Sequence, residues 1–263
     1  MFWANATSRK AYQWFGDVVV IDTTYNTNRY SLIFAPFVGV NNHTQTTLFG
    51  CAFLSDETFE SFVWLLNQWL DSMPGPLPRM IITDQDPVMS KAIAKVMPNT
   101  IHRYCIWHIL NKFSEKINAI NYKVHWQEFK NCICDSEAVE EFETNWANLI
   151  EKSNLSSNEW LQVQYANRAM WVPAFVNDTF SAGMSSSQRV ESSHTFFKKY
   201  VKKNNSLNDF VTRFTRALKR LRHREMQLNH NDINEIPVCK TPTLMEKEMN
   251  EFYTHTIFVQ ISR

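Results

Sequence analysis

The chain has 263 residues, 44% hydrophobic and 20% charged, with 27 basic and 26 acidic residues and a net charge of +1. That composition excludes wholesale disorder and leaves no global field to select a partner. With only 5 Gly a glycine-dependent phosphate loop is not expected, while 14% aromatic residues promise a dense core.

No stretch approaches the roughly 18–20 unbroken apolar residues of a membrane span, so no membrane partner is expected. The first ten residues lack the order of a signal peptide, and Phe2 and Trp3 call for burial at once. Five irregularly spaced cysteines point to a reducing compartment rather than a disulfide framework.

Residues 17–24 hold a β-branched run too short for a helix and read as a buried strand. Polar turns at 25–29 and 41–43 separate it from apolar runs at 30–40 and 45–54, which gives an antiparallel meander. The period then changes. Phe59, Phe62, Val63, Leu66, Trp69 and Leu70 recur at helical steps, with Asp56 as N-cap and a proline-rich stop at 74–78. A fourth strand at 80–83 ends at Asp84, a short helix fits 87–96, a fifth strand fits 100–104, and a helix runs from about 105 to 117. Three antiparallel strands followed by helix-linked strands is the ribonuclease-H-like order, an α/β mixed sheet in which the first and fourth strands are neighbours.

Residues 113–175 read as an all-helical insertion, with seven acidic residues against Lys130 alone between Glu128 and Glu151. A loop at 176–187 follows. From 189 to 224 there are eleven Lys and Arg against Glu191 and Asp209. One helix is expected near 188–203. A second opens with a capping box at Ser206 and Asp209 and sets Phe210, Phe214, Leu218 and Leu221 opposite Arg213, Arg216, Lys219, Arg220 and Arg224. A short helix near 243–252 and a final strand at 256–261 complete the reading. The expected organisation is thus a first part of the core at 1–112, the insertion at 113–175, C-terminal core helices at 176–230, and an extension at 231–263.

Three acids carry the chemistry. Asp22 and Asp84 each end a buried strand, and the inferred sheet sets the two strand ends side by side. Two close carboxylates repel unless a cation lies between them, and a hard oxygen donor set suits Mg²⁺ or Mn²⁺. Glu191, at the start of the basic helix, is the third. Three carboxylates can hold two metal ions about 4 Å apart for in-line phosphoryl transfer. The basic helices then offer Arg189, Lys198, Lys199, Lys202, Lys203, Arg213, Arg216, Lys219, Arg220 and Arg224 to DNA phosphates; the alternative is a solvated face that docks on the acidic insertion. Each acid also has a plainer reading: turn capping for Asp22 and Asp84, a favourable helix-dipole position for Glu191. Cys105 and His108, with His102 nearby, form half of a zinc site that Cys132 and Cys134 would have to complete; a packed thiol and a hydrogen-bonded imidazole are the competing reading.

At these residues the sequence resembles a known family. The stretches FGDVVVIDTTYNTN at 15–28, FAPFVGVN at 34–41, IITDQD at 81–86, HRYCIWHIL at 102–110, AGM at 182–184, QRVES at 188–192 and FKKYV at 197–201 resemble the plant far-red-impaired-response (FAR1-related) family, derived from Mutator-like element (MULE) transposases. The resemblance runs from about residue 2 to 262. It implies a ribonuclease-H-like core with a helical insertion before the last acid, a triad at Asp22, Asp84 and Glu191, and a C-x2-H motif at Cys105 and His108. It also places a zinc-chelating DNA-binding domain before this stretch and a SWIM-type zinc finger after it. Where the family often has Asn three residues past the glutamate, this chain has His194. The function implied is a domesticated nuclear regulator of transcription that contacts DNA and assembles with itself or with full-length relatives. The alternatives are an active Mg²⁺-dependent transposase and a truncated relic that oligomerises with those relatives.

Overall fold

A computed structural model describes residues 1–23, 30–176, 179–184, 206–235, 237, 239, 241 and 243–261. The strands are β1 (Phe2–Trp3), β2 (Val18–Ile21), β3 (Ile33–Val40), β4 (Thr46–Leu54), β5 (Met80–Thr83) and β6 (Ile101–Tyr104), in the sheet order β1-β4-β3-β2-β5-β6. Pairs β2–β3 and β3–β4 are antiparallel, and β2–β5 and β5–β6 are parallel. With β1 set aside, the five expected strands lie third, second, first, fourth, fifth, which is the ribonuclease-H-like arrangement.

Local chemistry explains the connections. The β3–β4 hairpin turns on Asn41, whose Oδ1 accepts from the backbone N–H groups of His43 and Gln45 at 3.0 and 2.9 Å. Parallel strands need long crossovers, supplied by α2 (Phe59–Ser72) and α3 (Pro87–Val96). Pro87 opens α3 where its missing N–H costs nothing, and Asp86 caps it by accepting from Met89 N–H at 2.6 Å. The N-cap of α2 is Thr58, not Asp56. Asp56 stands before the cap and accepts from Ser55, Thr58 and Ser61, which holds its carboxyl well below the usual range.

Alternation along β2 feeds both faces of the sheet. Val19 and Ile21 pack with Phe62, Leu65, Leu66, Trp69, Met89 and Ile93 beneath α2 and α3, joined by Tyr12 from α1 (Ala6–Phe15). Val18 and Val20 face Phe34, Phe53, Met80, Ile82, Phe210 and Phe214 on the other side. That second layer is α8 (Leu207–Asn234), opened by the expected Ser206–Asp209 capping box. Phe210 lies 4.9 Å from the Phe34 ring and 4.8 Å from Phe53, and stacks on Phe214 at 5.3 Å.

The insertion is helical as expected: α4 (Ile106–Lys116) leads into α5 (Ala119–Asp135), α6 (Val139–Lys152) and α7 (Glu159–Ala166), then two 3₁₀ turns at Arg168–Met170 and Pro173–Val176. It has its own core around Phe113, Phe129, Phe142, Trp146, Leu161 and Trp171. The buried Arg103 of β6 ties it to the sheet by donating to the Val172 carbonyl at 3.0 Å. Helix α4 spans the expected boundary at 112, and α8 spans the one at 230.

The C-terminus corrects one expectation. After α9 (Leu244–Phe252), residues expected as a strand form α10 (His255–Ile261). The segment docks on a hairpin carbonyl and a helix-end carboxylate, not on a strand edge. Thr254 Oγ1 donates to Asn42 O at 2.8 Å, and His255 N–H donates to Asp232 Oδ1 at 3.0 Å. Its backbone bonds therefore close within helical turns while Phe258 is buried. Among the described residues no helix is long and apolar enough to cross a membrane. The helix expected near 188–203 lies outside the described residues.

Candidate functional site

Asp22 and Asp84 stand one residue beyond β2 and β5. These strands pair in parallel with Val18 opposite Met80 and Ile21 opposite Thr83, so the register carries the two acids to neighbouring places at the C-terminal edge of the sheet. Strand β2 stops there for a local reason. Continuing the β2–β3 register beyond Ile21 opposite Phe37 sets Pro36 opposite Asp22, and proline donates no ladder bond.

Helix α4 covers the pair. His108 Nε2 is 3.9 Å from Asp22 Oδ1, and its Nδ1 is 3.7 Å from Asp84 Oδ1. One turn on, Lys112 Nζ is 3.8 Å from the same Asp84 oxygen. The Asp22 side chain is 14% exposed and that of Asp84 41%, so the pair opens to solvent on the Asp84 side. Asp84 Oδ1 also accepts from Gln85 N–H at 2.7 Å.

The neighbours register this charge. Glu57, just before α2, is pushed above its ordinary range by burial first and then by Asp86 and Asp84, against a bond from Thr23. The buried Cys105 thiol is pushed up to about 12 by burial, with the Asp22 and Asp84 charges adding and the His108 and Trp107 N–H groups opposing. His102 is drawn down to about 4 by burial alone. The donor chemistry at the strand ends, two adjacent carboxylates, fits a hard divalent cation. Asp22 and Asp84 would supply two of three expected ligands; Glu191 lies outside the described residues. Among the described residues no three His, Cys, Asp or Glu side chains converge on one ion.

Zinc chemistry at Cys105 finds less support. Zinc takes a thiolate, and burial pushes the metal-free Cys105 thiol up. His108 turns to the carboxylates, while Cys132 packs in the insertion core with its thiol on the Phe142 carbonyl and Cys134 packs beside it. All five cysteines are free. That arrangement favours a packed thiol.

Arg213, Arg216, Lys219, Arg220 and Arg224 are exposed on α8, opposite buried Phe210, Phe214 and Leu218. The N-terminal end of α8 lies toward the carboxylate edge, since Phe210 packs on Phe34 near the start of β3 and β3 runs antiparallel to β2. Arg189, Lys198, Lys199, Lys202 and Lys203 lie outside the described residues. Sequence reasoning missed Glu57, Gln85 and Lys112. Lys112 had a signal, four residues after His108 on one helical face; the others had none beyond proximity to an acid.

A ribonuclease-H-like sheet with an acid at each of two neighbouring strand ends, and a helical insertion after them, defines a transposase-type core. Residues 18–112 match the MULE transposase domain. Over nearly its whole length the chain is similar to proteins of Arabidopsis thaliana: 42% identical to Protein FAR1-RELATED SEQUENCE 5 over 99% of this chain and 33% of that protein, and 39% identical to Protein FAR-RED IMPAIRED RESPONSE 1 over 98% and 31%. The chain is a transposase-derived protein of the FAR1 type, and it spans about a third of the length of these relatives. The catalytic core domain of BIV integrase, a solved structure, aligns with 68% of this chain and 97% of its own at 10% identity and a TM-score of 0.26. That score is too low to bear on the fold, which rests on the strand order.

Proposed function

We propose that this chain is the core of a domesticated nuclear regulator of transcription that holds DNA against the basic face of α8. The observation that carries the reading is the division of α8 into an aromatic face seated on the sheet and an exposed face bearing Arg213, Arg216, Lys219, Arg220 and Arg224. A cationic row on a rigid helix positions a phosphate backbone without reading its sequence. The name of one relative, FAR-RED IMPAIRED RESPONSE 1, fits a regulatory setting. Fluorescence anisotropy of a labelled duplex tests the proposal. Log affinity falling linearly with log salt supports it, and a dissociation constant weaker than about 10⁻⁴ M at low salt overturns it.

A second reading, an active Mg²⁺-dependent transposase, draws on the adjacency of Asp22 and Asp84. Bound divalent ions would supply activation of a water or 3′-hydroxyl and support for the leaving oxygen. The chain's own part is to hold them with Asp22, Asp84 and Glu191, while Lys112 offsets part of the carboxylate charge and the His108 ring lies against both acids. Mn²⁺ titration by calorimetry on wild type and Asp22→Asn separates the readings. Saturable binding that the variant loses supports a working metal site, and no binding in either protein leaves the DNA-holding scaffold alone.

A further inference from the structure

Beyond α4, one side chain of the insertion reaches toward the carboxylate pair. Gln164 of α7 is 1% exposed, and its Nε2 donates to Gln85 Oε1 at 3.0 Å across 79 residues of sequence. Gln85 in turn gives its backbone N–H to Asp84 Oδ1 at 2.7 Å. The Gln164 backbone is fixed as well, since its carbonyl accepts from the buried Trp171 indole at 3.0 Å.

Packing does not explain a glutamine here. Gln164 Oε1 is buried and meets no donor among the described residues. An aliphatic side chain of similar length would fill the space without an unsatisfied acceptor. The gain from a polar residue therefore lies in the bond to Gln85. On its other flank Asp84 is held by the sheet itself. Thr83 Oγ1 gives its single proton to Asp84 O at 2.8 Å, so it accepts from His102 Nε2, also at 2.8 Å. The core thus fixes the backbone of Asp84, while Gln85, the residue that Gln164 grips, donates to its carboxylate.

We propose that Gln164 is a positioning residue: through Gln85 it sets the orientation of the Asp84 carboxylate, so that the helical insertion and the acid pair move as one unit. The consequence for metal binding rests on the reading of Asp22 and Asp84 as cation ligands; the link itself does not.

The test uses the whole chain as wild type, Gln164→Leu, Gln85→Ala and the double variant. Three readouts are taken: thermal unfolding, Mn²⁺ calorimetry, and amide hydrogen exchange at residue 85. Gln164→Leu is expected to keep or raise the unfolding midpoint, to weaken Mn²⁺ about 10-fold, and to speed exchange at residue 85 by about the same factor. Gln85→Ala should weaken Mn²⁺ comparably and the double variant no further, because both changes cut one link. Should Gln164→Leu fail to fold, Gln85→Ala at its half-buried position cuts the link from the other end. Unchanged Mn²⁺ affinity with unchanged exchange overturns the proposal. If wild type binds no Mn²⁺, the cation reading fails and exchange decides alone: faster at residue 85 upholds the link, unchanged refutes it.

Discussion

The basic face of α8 gives the sharpest prediction. Replacing Arg216, Lys219 and Arg220 together by alanine removes three exposed cations and leaves Phe210, Phe214 and Leu218 seated on the sheet. Alanine favours the helix, and surface changes of this kind shift stability by only about 0.5 kcal/mol. Each phosphate contact contributes about 0.9 to the slope of log affinity against log salt, so three lost contacts flatten it by about 2.7. Between about 50 and 200 mM salt, wild type should therefore lose roughly 40-fold more affinity than the variant. The assay is duplex anisotropy over a salt series, with thermal unfolding alongside. Arg222 is the internal control, since it is half-buried and donates to Asn5 Oδ1, the cap of α1, at 2.9 Å. Arg222→Ala should lower the unfolding midpoint and leave the slope nearly alone. A triple variant with the wild-type slope would show that this face does not touch phosphate, and the reasoning from helix polarity to DNA contact would fall.

Other consequences follow from the core and the buried ionisable groups. Phe210→Ala opens a cavity between Phe34, Phe53 and Phe214 and should cost about 3–5 kcal/mol, read as a drop of roughly 10 °C in the thermal midpoint. Ser206→Ala removes the side-chain half of the capping box at the start of α8, leaving Asp209 to accept from the backbone N–H of residue 206, and should cost about 1 kcal/mol in denaturant unfolding. His102, lowered from 6.5 to about 4 by burial, is neutral in the fold and must charge as acid unfolds the chain. Its contribution, on the order of 3 kcal/mol, is present above pH 6.5 and lost as pH falls toward 4. Urea midpoints across that window should fall in wild type and flatten in His102→Gln. Native alkylation should label Cys134 and Cys239 and spare Cys51, Cys105 and Cys132, as read by peptide mass before and after unfolding.

The sheet was legible because its strands are runs of β-branched and aromatic residues cut by short polar turns, and because helical spacing begins at once after β4. The neighbouring strand ends of Asp22 and Asp84 followed once that order was matched to the known ribonuclease-H-like sheet. Residues 1–15 were harder. Helix α1 buries only Ser8 and Tyr12, and β1 is two residues long, so neither leaves a periodic signal. At 256–261 a short β-branched run carried no information about the hairpin carbonyl and helix-end acid it meets, and those partners chose helix. Contacts such as Gln164 with Gln85 depend on side chains far apart in the chain, and no spacing rule reaches them. His108 shows the same limit. Its place beside Cys105 drew attention to zinc, whereas its ring faces two carboxylates.

Strand β2 is bonded on both sides and buried at every position. Asp22 is carried on the tip of the best-protected strand, and its location follows from how Val18, Val19, Val20 and Ile21 pack. Selection to keep the chain folded therefore keeps the acid's place as well, whether or not the acid is used. A lineage can abandon the reaction by exchanging one carboxylate at little cost to folding. It can regain the reaction by the reverse exchange, because the frame has meanwhile been maintained for other reasons. A core of this kind is readily recruited to new work and slow to lose the shape of the old.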